Sequence, residues 1–122
     1  MAEIKPKISV EYAENAAVVT FTDERILEEE DIRALKEAIM SLIDQAGRIN
    51  MILDFRNVRF LSSAVLGLLV RVSKKIYESG GSLKLCNIDR KIQEVFRITR
   101  LNRIFDIYRD LDSAIESLSA GD

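Results

Sequence analysis

The unbroken triplet Met51-Ile52-Leu53, inside the run from Ile49 to Phe55, is the strongest constraint in the chain. A short segment that is apolar on both faces needs cover on both, which is the situation of a central strand in a layered α/β sheet. The flanking segments supply that cover. From Glu28 to Asp31 acidic residues gather before Ile32, Leu35, Ile39, Leu42 and Ile43, which recur at helical spacing, and Gly47 follows as a stop signal. After the strand, Asn57-Val58-Arg59-Phe60-Leu61 leads to the pair Ser62-Ser63. Val65, Leu66, Leu68, Leu69, Val72 and Ile76 then mark a second helix that starts at or beside the serines; Lys74 and Lys75 stand near its end and Gly80-Gly81 closes it.

The remaining segments extend the same pattern. Ile8, Val10 and Tyr12 alternate with Ser9 and Glu11, so a strand with one face on the core is expected there, and Ala17 to Thr22 gives a second β-rich run. Glu14-Asn15 between them predicts a hairpin turn. Ser82 to Ile88 reads as a strand, about Arg90 to about Thr99 as a short helix carrying Ile92, Val95 and Phe96, and Phe105 to Tyr108 as a brief strand. Leu111, Ala114, Ile115 and Leu118 mark a final helix, capped by Asp110 or by a Ser113/Glu116 capping box. The order β-β-α-β-α-β-α-β-α predicts an antiparallel hairpin followed by parallel strands joined through helices.

Composition removes most functional classes. A chain of 122 residues fits one domain over 1–122, and a formal charge of -2 gives no general attraction to nucleic acid or acidic membranes. No apolar run is long enough to span a bilayer, and Met1-Ala2-Glu3-Ile4-Lys5-Pro6 lacks the apolar block of a secretory signal, so a cytoplasmic protein with no membrane partner is expected. Histidine is absent, which removes the commonest general base and zinc ligand together, and the single cysteine, Cys86, reads as a buried apolar residue without a role. There is no glycine-rich phosphate loop after a strand, so no cofactor or nucleotide site is indicated. An enzyme using Ser63 as nucleophile would need a base, and Lys74 and Lys75 lie about three turns along the helix, out of reach. Arg90, Lys91, Arg97, Arg100 and Arg103 make one stretch basic; it reads as a solvated face, with contact to an acidic partner as the alternative, and without aromatic interleaving or a recognised DNA-binding motif nucleic acid ranks low.

The serine pair remains. Two readings stand side by side: a helix N-cap, worth about 1 kcal/mol, or a modification site. A phosphate on a helix's first turn meets backbone N–H groups and the positive end of the dipole, so it can be added without unfolding the site.

Phe60-Leu61-Ser62-Ser63-Ala64-Val65-Leu66-Gly67-Leu68-Leu69, preceded by Met51-Ile52-Leu53-Asp54-Phe55-Arg56-Asn57-Val58, resembles the motif of STAS domains, the anti-sigma factor antagonist family. The likeness spans nearly the whole chain. It implies an α/β fold: a single STAS-like domain with a mixed, mostly parallel β-sheet, an N-terminal antiparallel hairpin and about four α-helices. It also implies a non-catalytic anti-sigma factor antagonist that binds an anti-sigma factor/serine protein kinase when unphosphorylated, with a PP2C-type phosphatase reversing the modification. Residue by residue, Ser63 takes the phosphoserine position, ahead of Ser62. The family often has Asp where Ser62 stands, a second hydroxyl at Ala64 and Gly at Val65. Asp23, after the second strand, and Asp54, at the end of the core strand, read as exposed aspartates and as candidates for the partner interface. Ser62, Ser63, Val65 and Leu66 complete that expected surface. The alternative is a constitutive STAS scaffold or sensor-complex component in which the serines only cap the helix.

Overall fold

The computed structural model describes residues 7–13 and 15–120. Ile8–Ala13 (β1) and Ala16–Phe21 (β2) pair antiparallel, with Ala13 opposite Ala16 at the turn; Glu14, half of the expected hairpin turn, lies outside the described residues. Asn50–Asp54 (β4), Ser82–Cys86 (β6) and Asp106–Tyr108 (β7) add in parallel to give the sheet order β1-β2-β4-β6-β7. The helices are Glu29–Ala46 (α1), Ser63–Glu78 (α2), Arg90–Ile98 (α3) and Leu111–Ala120 (α4). The predicted mixed sheet and four helices are therefore present.

Strand alternation divides the core in two. Ala17, Val19 and Phe21 of β2, Met51 and Leu53 of β4, and Leu83 and Leu85 of β6 pack against α1, α2 and α3. The alternate residues Ala16, Val18, Ile52 and Cys86 pack under Ala114 of α4 on the other face. This is the double cover that Met51-Ile52-Leu53 requires, and all three of these residues are buried. Helix ends follow local chemistry: Gly47 stops α1 at φ 74, Asp89 caps α3 by accepting from the Lys91 N–H at 2.9 Å, and Asp110 Oδ1 accepts from the Ser113 N–H at 2.8 Å. The cap of α4 is thus Asp110.

Three features depart from the expected pattern. Tyr12 is 74% exposed, because β1 is the sheet edge and the hairpin end lines an open groove with Leu42 and Gln45 of α1. Arg25–Ile26 (β3) and Phe60–Leu61 (β5) form an additional two-residue parallel pair, and Leu101–Arg103 forms a 3-10 turn after α3.

Candidate protein-docking site

The segment from β4 to α2 is stitched to the segment from β2 to α1 by backbone groups. The Glu24 carbonyl accepts from the N–H groups of Arg59 (2.9 Å) and Phe60 (3.1 Å), the Ile26 carbonyl accepts from Ser62 (3.1 Å), and Asn57 Nδ2 donates to the Phe21 carbonyl (3.0 Å). The β3–β5 pair continues this seam, with Arg25 opposite Phe60 and Ile26 opposite Leu61. Ser62 and Ser63 follow directly from it, so their place is fixed by two connections at once.

Ser62 occupies the N-cap position of α2 with extended backbone (φ -88, ψ 163), yet its side chain makes no capping hydrogen bond. Its hydroxyl is turned inward and is buried without a partner. Ser63 is the first helical residue and is exposed. The first turn of α2 carries no acidic residue, so the positive end of this helix has no carboxylate to offset it there.

Three of the six expected interface residues lie elsewhere. Val65 and Leu66 are buried in the core under α2, because the helix phase that puts Leu69, Val72 and Ile76 inward puts them inward too. Asp54 is 0% exposed. It falls on the α4 face of the sheet with Ile52, and its carboxylate is consumed by Arg56 and by Asn87 Nδ2 at 3.0 Å. The expectation of an exposed Asp54 is corrected: it is the buried member of an ion pair whose arginine is half exposed. Asp23 is partly exposed and holds Lys7 Nζ at 2.8 Å, while Lys7 also reaches Asp31 at 3.1 Å. The Lys7 ammonium, and next the Arg25 N–H, hold the Asp23 carboxyl below the usual aspartate value; the two aspartates in turn raise the Lys7 value. Cys86 is buried, and desolvation, followed by the charge of Asp54, pushes its thiol up to about 12, an inert thiol.

The surface that does surround Ser63 includes residues the sequence reading did not single out. Phe60 and Leu27 are exposed beside the β3–β5 seam, and the Arg25 guanidinium lies 5.1 Å from the Phe60 ring centroid. Ala64 and Gly67 are exposed on the same face of α2 as Ser63, at the spacing of one helical turn. A flat strip of small residues edged by two apolar side chains admits the backbone of a partner closely. Gly67 was a readable signal: a glycine inside an amphipathic helix costs about 1 kcal/mol against alanine, and a Cβ there would meet nothing within 4 Å, so no internal packing requires it.

The family model for the STAS domain matches residues 7–114. The chain belongs to the STAS domain family. The anti-sigma-B factor antagonist of Bacillus subtilis (strain 168) is 30% identical over 82 residues, covering 67% of this chain and 73% of that protein. Among solved structures, the STAS domain protein from Planctomyces limnophilus superposes with a TM-score of 0.84 at 23% identity, covering 92% of this chain and 97% of that one. SpoIIAA of Bacillus, in its phosphorylated form, superposes at 0.70 with 17% identity, covering 91% and 98%. The last two likenesses establish the fold. With its curated relative, the present STAS domain falls in the anti-sigma factor antagonist family. Among its described residues no helix is long and apolar enough to cross a membrane.

Proposed function

We propose that this STAS domain is a phosphorylation-gated docking module that works in the cytoplasm without catalysing a reaction. Unmodified, the Ser63 face binds an anti-sigma factor that is itself a serine protein kinase; phosphorylation of Ser63 ends the binding, and a PP2C-type phosphatase restores it. The observation that carries the reading is the exposed Ser63 at the first position of a helix whose first turn lacks acidic residues. That position accepts a phosphate without refolding, through backbone N–H groups and the helix dipole. The added charge of about −1.5 to −2 then falls at the edge of the strip formed by Ala64 and Gly67. A loss of about 2.7 kcal/mol in docking lowers affinity a hundredfold, within the range of a charge buried without a partner. The relative named as an anti-sigma-B factor antagonist and the phosphorylated form of SpoIIAA support this reading.

The test is intact-mass and peptide-mapping analysis of the protein from its native host, beside a Ser63→Ala version. The expected result is one phosphoryl group on Ser63, absent from the alanine form. No phosphate under any growth or stress condition overturns it and favours the second reading, a constitutive scaffold, which the Ser62 in place of the family's usual Asp already supports. Asp23 belongs to the proposed interface as its partly exposed acidic border.

A further inference from the structure

Helix α3 buries only Ile92 and Phe96. Its outer side presents Lys91, Val95 and Ile98 at i, i+4 and i+7, one continuous face, with Ile98 71% exposed. Single exposed apolar residues are ordinary, but an adjacent pair flanked by unpaired basic side chains, with its one acidic neighbour Glu94 already held by Arg97, is the composition of a docking patch. Arg90 and Lys91 stand at the start of this helix, and Arg100 and Arg103 just beyond it. None of these four makes an ion pair among the described residues, whereas Arg97 is paired with Glu94 on the same helix.

The same chain carries the opposite arrangement at the start of α1. Leu27 is 43% exposed, and Glu28, Glu29 and Glu30 after it are exposed and make no ion pair among the described residues. The two patches cannot meet within one molecule. Helix α1 follows β2 and packs on α2, while α3 packs on the 3-10 turn beside β7, and β4 and β6 separate β2 from β7 in the sheet. Each patch therefore lacks a counterpart in its own chain and finds one of matching charge and polarity on another copy.

We propose that a second copy of this chain docks its Leu27–Glu30 segment on the Lys91, Val95 and Ile98 face of α3, giving a head-to-tail association that occupies Leu27, one of the two apolar side chains edging the Ser63 face. The two surfaces differ, so a single such contact leaves one of each kind free to take a further copy, as an open chain or, where the rotation closes, a ring. The contact is small and charge-dominated, so it is weak and sensitive to salt.

Sedimentation velocity across a range of protein concentrations tests this. In about 0.05 M salt the weight-average sedimentation coefficient rises with concentration; in about 0.5 M salt the association constant falls at least about tenfold. A variant with Leu27→Ser, Glu29→Gln and Glu30→Gln, and another with Arg90→Gln, Lys91→Gln and Ile98→Ser, change only exposed side chains, and circular dichroism verifies that each is folded. Each alone stays monomeric. Mixed, they form a 1:1 dimer and nothing larger, because one intact patch of each kind remains. A wild-type coefficient independent of concentration, self-association of either variant alone, or a mixture that stays monomeric overturns the proposal.

Discussion

The Arg56 guanidinium grips the carboxylate of Asp54 two residues before it, with Nε 2.8 Å and Nη2 2.5 Å from the same Oδ2. The other oxygen, Oδ1, accepts from the Arg56 backbone N–H and from Asn87 Nδ2, both at 3.0 Å. Asn87 holds a positive φ of 55 between β6 and α3, a conformation asparagine tolerates better than most residues. The cluster therefore ties the end of β4 to the end of β6. Removing the carboxylate strands the Asn87 amide and the Arg56 groups at once. Asp54→Ala is expected to lower the unfolding free energy by about 2–4 kcal/mol in urea denaturation. Asp54→Asn, which keeps an oxygen acceptor, should cost less.

Gly81 and Gly67 predict opposite outcomes for the same substitution. A Cβ on Gly81 would lie 1.9 Å from the Ile49 carbonyl oxygen and 2.8 Å from its carbon, both backbone atoms of the neighbouring connection. Gly81→Ala should cost more than about 3 kcal/mol, or yield an unfolded chain. Gly67→Ala, exposed in mid-helix, should raise thermal stability by about 0.5–1 kcal/mol. Calorimetry on the two variants side by side checks both.

The clasp of Lys7 on Asp23 and Asp31 gives stability a defined pH dependence. The folded Asp23 value is depressed, so its contribution is present above the unfolded carboxylate value near 3.8 and disappears as pH falls through the lower folded value. Lys7 is raised, so its contribution is present below 10.5 and disappears as pH rises through its higher folded value. Between those limits the clasp holds. The urea midpoint of the native protein should fall as pH drops below about 3.8, and in Lys7→Gln that fall should be shallower.

Ser62 separates the rule from the particular case. A serine at an N-cap ordinarily contributes about 1 kcal/mol. Here the hydroxyl makes no cap and is buried without a partner. Ser62→Ala should therefore leave the denaturation midpoint unchanged, or raise stability by up to about 1 kcal/mol. A clear loss would mean that the hydroxyl swings out to cap the helix in solution.

The elements legible beforehand were those long enough to show a period. Met51-Ile52-Leu53 announced double cover, and Val65, Leu68, Leu69, Val72 and Ile76 fixed the phase of α2. That same phase already placed Val65 and Leu66 inward, against their assignment to a partner surface by motif position. The β3–β5 pair was not legible because two residues carry no alternation. The burial of Asp54 depends on Asn87, brought over by a different strand, and no local pattern reports such a pairing. Tyr12 continued the alternation of β1 correctly; what failed was the cover, since helix α1 leaves a groove at that end. Of the site itself, Ser63 was readable from the motif, while Phe60 and Leu27 gained their place only through the seam between two connections.

The sheet order β1-β2-β4-β6-β7 never turns back on itself. Each strand joins beside the one made just before it, so a nascent chain can extend the sheet outward in the order of synthesis, with the N-terminal hairpin as its first edge. Among the described residues only α4 covers the second face, and it follows all the strands in the chain. A chain halted before Leu111 would hold most of its sheet with Ala16, Val18, Ile52 and Cys86 open to water. The interval between β7 and α4 is thus the stage of synthesis at which this face of the sheet lies open.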